Sequence, residues 1–212
     1  DSDDLWSYEV GVKGDLVEGL VNYDVTVYYF DWDNFQTTLP GLGFFLMGNA
    51  DGGFTGKGLE ASVTLRPLDG LSIITNMAYN SSELNADEPG LNGLKGQQAR
   101  YVPEWSASSR IRYDFTLFSG QDAYVGLGIR YEDSTRSAYT DGNGSAFNLP
   151  SDSYVAADLN AGVAFETVSL GLYATNVFDE RAIQSVVSDS FGVNRGVPIK
   201  PRTVGIRLSV NF

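Results

Sequence analysis

The sequence predicts an all-β protein, and more specifically an antiparallel transmembrane β-barrel. Apolar and polar residues alternate with a period of two in many short segments, and the connections between those segments alternate between short and long. Aromatic residues make up 13% of the chain and there are 24 Gly, a mixture that favours strands and turns. No run approaches the roughly 18 apolar residues that a transmembrane helix needs, so a membrane protein built from this sequence has to be a barrel.

Nine segments show the alternation, and most are about as long as a tilted strand needs to be to cross a bilayer. They are residues 6–13, 22–29, 58–66, 71–80, 107–115, 123–131, 154–166, 168–175 and 203–212. In the last segment, Val204, Ile206 and Leu208 share one face with Phe212, while Arg207 lies on the other face.

Charge separates the two faces of these segments. The more apolar face of each segment carries no charge, and we expect residues such as Ile129, Val163 and Leu208 to face lipid. The opposite faces carry twelve charges: Glu9, Lys13, Asp24, Glu60, Arg66, Arg110, Arg112, Asp114, Arg130, Asp158, Glu166 and Arg207. For Arg110, Arg112, Asp114, Arg130 and Asp158 we expect ion pairing across strands, with contact to a lumenal domain as the alternative.

The connections favour a bacterial outer-membrane barrel over a soluble sandwich. Long connections at 34–56, 81–101, 133–153 and 179–200 alternate with short ones. Outer-membrane barrels have this arrangement, with tight periplasmic turns and long extracellular loops. Because such barrels have an even number of strands, we expect residues 1–212 to be the C-terminal portion of a longer protein, with its targeting segment upstream. The outer edge of the last strand should then be unpaired in this chain.

Composition excludes several functions. There are no Cys and no His, which excludes thiol nucleophiles, His-based triads and the usual zinc sites, and we expect no metal site and no cofactor. The net charge of −13 and the lack of basic clusters make nucleic acid an improbable partner.

Four motifs resemble one known family. Residues 28–36 (YYFDWDNFQ), 49–60 (NADGGFTGKGLE) and 176–181 (NVFDER) resemble segments of TonB-dependent outer-membrane receptors, in the order in which the family carries them. Residues 201–206 (PRTVGI), which lead to a terminal Phe, resemble the family's last strand. The resemblance covers essentially the whole chain.

The resemblance implies a barrel of about 22 strands that encloses an N-terminal plug, of which this chain supplies about nine C-terminal strands. The plug and the earlier strands lie outside the chain. The implied function is active transport across the bacterial outer membrane: binding and import of a scarce nutrient, most often a ferric siderophore or another iron complex, with energy supplied through TonB. Outer-membrane lipid and the barrel-assembly machinery are further implied partners, and the ligand's identity stays open.

Candidate site residues lie in the long loops. Aromatic and Arg side chains suit an anionic ferric chelate, and loop packing and local ion pairs are the structural alternative. The candidates are Phe44, Phe45, Arg136, Tyr139, Phe147, Arg181, Phe191 and Arg195. The terminal Phe212 resembles the signal that the assembly machinery reads, with a lipid-facing aromatic as the alternative.

Two other functions fit parts of the sequence. A soluble all-β carbohydrate-active enzyme could use Glu9, Glu60 or Glu166 as acid and nucleophile. A passive porin or adhesin barrel would share the strand pattern but lack a plug. The charge-free faces and the loop alternation favour the receptor, so we expect no enzymatic activity.

Overall fold

In the computed structural model, the chain is described over residues 2–40, 45–140, 149–188 and 193–210. These residues form thirteen strands and a single 3₁₀ turn, Pro89–Leu91. The strands are β1 (Asp4–Leu16), β2 (Val21–Asp33), β3 (Phe35–Pro40), β4 (Phe45–Ala50), β5 (Phe54–Leu68), β6 (Leu71–Leu84), β7 (Trp105–Thr116), β8 (Asp122–Glu132), β9 (Tyr154–Ala164), β10 (Val168–Thr175), β11 (Ile183–Ser188), β12 (Asn194–Pro198) and β13 (Thr203–Val210). Over the described ranges, no helix has the length and apolarity to cross a membrane.

One antiparallel sheet holds nine of the strands, in the order β1-β2-β5-β6-β7-β8-β9-β10-β13. These are the nine predicted strands, each paired with its neighbours along the chain, so the prediction of an antiparallel sheet of nine is confirmed. The predicted long connections 34–56 and 179–200 each contain a two-stranded hairpin that the sequence analysis did not predict, β3–β4 and β11–β12. These hairpins lack a lipid-facing side, so their sequences do not show the alternation that marked the sheet strands.

The register of the sheet places the predicted faces as expected. On the apolar face, Val10, Val27 and Leu59 are direct partners in one row. On the polar face, Lys13 is directly opposite Asp24. We call the apolar face outward and the polar face inward. Eleven of the twelve charged residues predicted for the polar face lie on the inward face. The twelfth, Glu166, lies in the β9–β10 turn.

The expected ion pairs across strands are not formed. Arg112 pairs with Asp114 on the same strand, at 2.6 Å from Nη2 to Oδ1, which is the one ion pair on the inward face of the described strands. The Arg130 guanidinium lies 5.7 Å from the centre of the Tyr154 ring, and Asp158 accepts a hydrogen bond from the backbone N–H of Asn176. The register explains the difference for Arg110 and Arg112, since their direct partners on β8 are Gly128 and Gly126, which have no acidic side chain.

Short turns join strands at one end of the sheet and long loops at the other. The β5–β6 turn is the tightest: Gly70 has a φ of 80°, and its carbonyl accepts from the backbone N–H of Asp114. The two outer edges of the sheet, on β1 and β13, have no strand partner among the described residues, as predicted for the last strand. The sheet is therefore open, and its edges are sites for further strands.

The long loops fold over the inward face and make two small cores there. In the first, Phe35, Leu91 and Tyr139 pack around Leu84, which is only 1% exposed. In the second, Ala182 and Ile199 from the β10–β13 connection pack on Tyr154 and Ala156 of β9. Leu84, Tyr154 and Ala156 are inward positions, so the loops cover the inner wall at the long-loop end rather than extending away from it.

Candidate functional site

Four inward aromatic side chains of β2 and β5 form a cluster with one aromatic side chain of β3, where the long loops cover the inward face. We call this set, Tyr28, Phe30, Trp32, Phe35 and Phe54, the aromatic ladder. The Tyr28 and Phe30 rings are stacked with centres 6.4 Å apart, and Phe30 stacks on Phe54 at 6.2 Å. Phe35 then contacts Phe54 and Trp32 at 5.7 and 5.8 Å. All but Phe35 are partly exposed, so the ladder presents aromatic surface to the interior.

Glycines on the neighbouring strand make room for the ladder. Phe30 is directly opposite Gly56, and Tyr28 is directly opposite Gly58. A methyl group at either glycine would overlap the ring across from it. The motif at 49–60 therefore supplies the flat backbone on which the rings of the motif at 28–36 lie, which is why aromatics are accommodated on an otherwise polar face.

Tyr139 and Arg100 connect the loops above the ladder. Tyr139 is only 6% exposed, and the Arg100 guanidinium carbon lies 5.1 Å from the centre of its ring. Arg100 also donates a hydrogen bond to the Thr37 hydroxyl of the β3–β4 hairpin, at 3.3 Å. Burial raises the pKa of the Tyr139 phenol, and the charge of Arg100 opposes that change. Arg100 thus connects its own loop to two other long loops, through the Tyr139 ring and the Thr37 hydroxyl.

A polar cavity of about 500 Å³ lies between the β6–β7 and β8–β9 loops. Its lining includes Gln97, Glu104, Asp133, Arg136 and Tyr139. Gln97 fixes one wall, since its side-chain amide donates to the Thr140 carbonyl and accepts from the Thr140 N–H, at 2.6 and 3.2 Å. The cavity therefore offers both charges and neutral hydrogen-bonding groups.

The base of the last long loop is held by Asn176, which is 4% exposed and has a φ of 49°. Its side-chain amide donates to the carbonyls of Glu180 and Lys200 and accepts from the N–H of Glu180, each at 2.9 Å. Asp179 accepts from the backbone N–H of Arg202 and pairs with Arg181 at 3.1 Å, and both contacts lower the pKa of Asp179. The motif at 176–181 is therefore a clamp that joins the two ends of this loop.

The predicted loop residues are placed in different surroundings. Arg136 and Tyr139 share the polar cavity, whereas Arg181 is exposed at the loop base and Arg195 is exposed on β12. Phe45 is the first residue of β4, opposite Pro40, and only its backbone is described. Phe44, Phe147, Phe191 and Phe212 lie outside the described residues. Ligand contact by these loop residues, and the assembly role of Phe212, stay predictions.

The sequence analysis did not predict the aromatic ladder as a candidate site, although the strand pattern contained an indication of it. Tyr28, Phe30 and Trp32 fall on the same face as Asp24, so large aromatics continue a polar face toward the long-loop end. Within the described ranges, no group of three or more Asp and Glu residues lies close enough to hold a metal ion. The arrangement suits binding of a ligand with flat or apolar surface and polar groups, and it supplies no nucleophile paired with a base.

Comparison with known proteins identifies the fold. The family model of TonB-dependent receptor-like β-barrels matches residues 5–177. The chain belongs to the TonB-dependent receptor β-barrel family. Proteins of this family are outer-membrane transport receptors, so the soluble carbohydrate-active enzyme considered from the sequence is wrong, and the expected outer-membrane location is confirmed.

Individual TonB-dependent receptors resemble the chain over nearly all of its length. The metal-pseudopaline receptor CntO of Pseudomonas aeruginosa (strain UCBPP-PA14) is 26% identical over 206 residues, which are 97% of this chain and 27% of that protein. The structure of the ferric yersiniabactin uptake receptor FyuA from Yersinia pestis aligns with a TM-score of 0.79 and 21% identity, over 99% of this chain and 30% of that one. The ferric-catecholate import receptor Fiu from E. coli K12 aligns with a TM-score of 0.75 and 19% identity, over 99% and 28%. At these identities the two structures establish the fold alone, and the chain spans less than a third of each relative.

Proposed function

We propose that this chain is the C-terminal part of the barrel of an outer-membrane receptor that imports a scarce metal carried by an organic chelator. A ferric siderophore is the first candidate, with energy supplied through TonB to a plug enclosed by the complete barrel. The observation that carries the proposal is the aromatic ladder, which lies on the inner wall under loops packed inward over it.

The chemistry of the site supports a chelate over a bare ion or a passive solute. Stacked rings bind flat aromatic or apolar ligand surface, and each such pair contributes about 0.5–1.5 kcal/mol beyond its buried area. The cavity beside the loops adds Arg136 and polar groups that could bind an anionic chelate. CntO, FyuA and Fiu are described as receptors for metal-pseudopaline, ferric yersiniabactin and ferric catecholates, three different metal complexes.

Binding of purified full-length receptor to defined metal complexes tests the ligand class. Ferric yersiniabactin, a ferric catecholate and a metal–pseudopaline complex serve as probes, with tryptophan fluorescence as the readout. Trp32 belongs to the ladder, so its replacement in Trp32→Phe should remove part of the quenching that a bound iron complex produces. Phe30→Leu combined with Tyr28→Leu should raise the Kd about tenfold, because two stacking surfaces are lost while apolar volume is kept.

Tyr173→Leu is the matched control, since Tyr173 is an inward aromatic outside the ladder. It should leave the Kd unchanged. If the ladder variant binds every complex as the wild type does, the ladder is not the binding surface. Import is tested separately by metal-limited growth: deletion of TonB should abolish growth on the complex while binding to cells persists. Growth without TonB would contradict active transport.

A further inference from the structure

Among the residues that the structure describes, Lys57 is the only Lys or Arg on the outward face of the nine-stranded sheet. Lys57 falls between the predicted loop 34–56 and the predicted strand 58–66. In the structure β5 begins at Phe54, and the register places Lys57 directly between Tyr29 and Ser81. Tyr29 shares the outward face with Val27, as the pairing of Val27 with Val10 shows. Within the strand bounds, the other Lys and Arg side chains lie on inward positions, apart from Arg195 of the β11–β12 hairpin, which is not part of the sheet.

The position of Lys57 along β5 corresponds to the outer boundary of the hydrocarbon layer. Pro67 lies near the short-turn end of β5. Lys57 lies ten residues before Pro67, toward the long-loop end of the strand. At about 3.3 Å per residue and a tilt of about 40°, this distance spans roughly 25 Å of depth, the height of the apolar band of a barrel. Lys57 is therefore where hydrocarbon ends and lipid headgroups begin on the extracellular side.

Aromatic side chains mark the same boundary around Lys57. Tyr8 and Tyr29 occupy its own row, with ring centres 6.5 Å apart. Tyr79 and Trp105 occupy the row below, with ring centres 4.6 Å apart. Tyr and Trp are enriched at the interface between hydrocarbon and headgroups, because one part of each side chain is apolar and the other is polar.

The Lys57 ammonium has no acidic partner in the described part of the chain. Neither of the ion pairs there includes it. Asp31, on the next outward position of β2, is hydrogen bonded to Thr55 and Asn85 at 3.4 and 3.2 Å. Glu83, one row nearer the loops, is the other acidic neighbour, and neither ion pair of the described residues joins it to Lys57. A lone ammonium facing lipid is costly unless it extends to an anionic or hydrated group.

We propose that Lys57, with the hydroxyls of Ser81 and Tyr29 beside it, binds a phosphate of an outer-leaflet lipid headgroup. The ammonium supplies the charge, and the two hydroxyls are further donors to phosphate oxygens. The site faces away from the interior, so the imported ligand and any enclosed domain cannot reach it, whereas the outer leaflet surrounds it. The proposal does not depend on which complex the receptor imports.

Lipid binding by the full-length receptor tests the proposal. The receptor is reconstituted in phosphatidylcholine vesicles that contain purified lipid A or its dephosphorylated form, and lipid retained on the receptor is measured by native mass spectrometry. The wild type and Lys57→Arg should retain lipid A in preference to the dephosphorylated lipid. Lys57→Met should reduce that preference about fivefold, which corresponds to the roughly 1 kcal/mol that one Lys contributes at an anionic membrane surface.

Lys57→Met places an apolar side chain toward lipid and should fold normally, which heat-dependent gel mobility verifies. Lys95→Met is the matched control, because Lys95 is exposed in the β6–β7 loop and lies off the sheet. Equal retention of lipid A by the wild type and Lys57→Met would overturn the proposal. The proposal would also be overturned if the wild type retained the dephosphorylated lipid as well as it retains lipid A. Release of lipid A from the wild type by inorganic phosphate alone would overturn it too.

Discussion

At the scale of single residues, the motifs that resemble the receptor family have separate physical roles. Gly56 and Gly58 make room for rings of the aromatic ladder, and Asn176 satisfies backbone groups at the base of a loop. Each role depends on one property of the residue. Glycine is required for its missing side chain, and asparagine for an amide in a left-handed backbone conformation.

Gly56→Ala should destabilise the barrel by about 1–3 kcal/mol, because the new methyl group overlaps the Phe30 ring and forces it from its place. Urea unfolding of the full-length receptor in detergent measures the change. Gly171→Ala is the control: Gly171 is also inward, but its nearest neighbours are 3.7 Å from the added methyl group. Equal loss of stability in the two variants would contradict the packing argument.

Asn176→Ala should cost about 1–3 kcal/mol, because the three hydrogen bonds of its side chain to backbone groups of Glu180 and Lys200 are lost. Limited proteolysis of the β10–β13 loop reports the loosening directly. Asn176→Asp keeps the acceptor and the backbone preference but loses both donated hydrogen bonds. Its cleavage rate should therefore lie between the rates of the wild type and Asn176→Ala. A wild-type cleavage rate for Asn176→Ala would show that the clamp does not hold the loop.

At the scale of elements, strands and loops are stabilised by different surroundings. In an outer-membrane barrel the outward face of each strand lies against lipid, and here the inward face carries polar and charged groups, so we expect the two faces to tolerate opposite substitutions. The loops are stabilised by packing on the inward wall, as the contacts of Leu84 and Tyr154 show. A charged substitution at an outward position should therefore destabilise the barrel, whereas the same substitution at the neighbouring inward position should not.

Leu208→Arg should destabilise the barrel by about 2–4 kcal/mol, because Leu208 faces outward on β13 opposite Leu170. The yield of assembled receptor in outer membranes and its urea midpoint are the measurements. Ser209→Arg is the control on the next, inward position of the same strand and should assemble with nearly normal yield. If both variants assemble equally well, the assignment of faces on β13 is incorrect.

At the scale of the whole molecule, the open sheet is the decisive feature. β1 and β13 each have one paired edge, and unpaired edges in a membrane leave backbone groups without partners at a cost of several kcal/mol each. The chain spans about 27% of its relative CntO, and we propose that strands outside the chain close the barrel.

Closure predicts hydrogen-exchange behaviour for the last strand. In the full-length receptor, the β13 amides that do not bond to β10 should exchange as slowly as those that do, because a further strand pairs with the outer edge. Exchange measured by NMR in detergent tests this, with the amides of the paired β7 as the reference. Rapid exchange confined to the outer edge would show that β13 is not paired there.

Much of this architecture follows from the sequence alone. The nine sheet strands, their two faces and the alternation of turns and loops were predicted, because a period of two is a local signal and lipid requires an apolar face on every strand. The family resemblance came from local motifs in the same way. The clamp at Asn176 and the fit of Phe30 over Gly56 were not predicted, although the residues stood in those motifs.

Only the tertiary structure decided what the long loops do and where the strands end. Tyr139 packs near Phe35 and Leu84, which are distant in the chain, and no local pattern encodes such contacts. The β3–β4 and β11–β12 hairpins have no lipid face, so periodicity could not mark them. The extension of β5 to Phe54 brought Lys57 into the sheet, because pairing with β2 and β6 sets the length of a strand more than its own residues do.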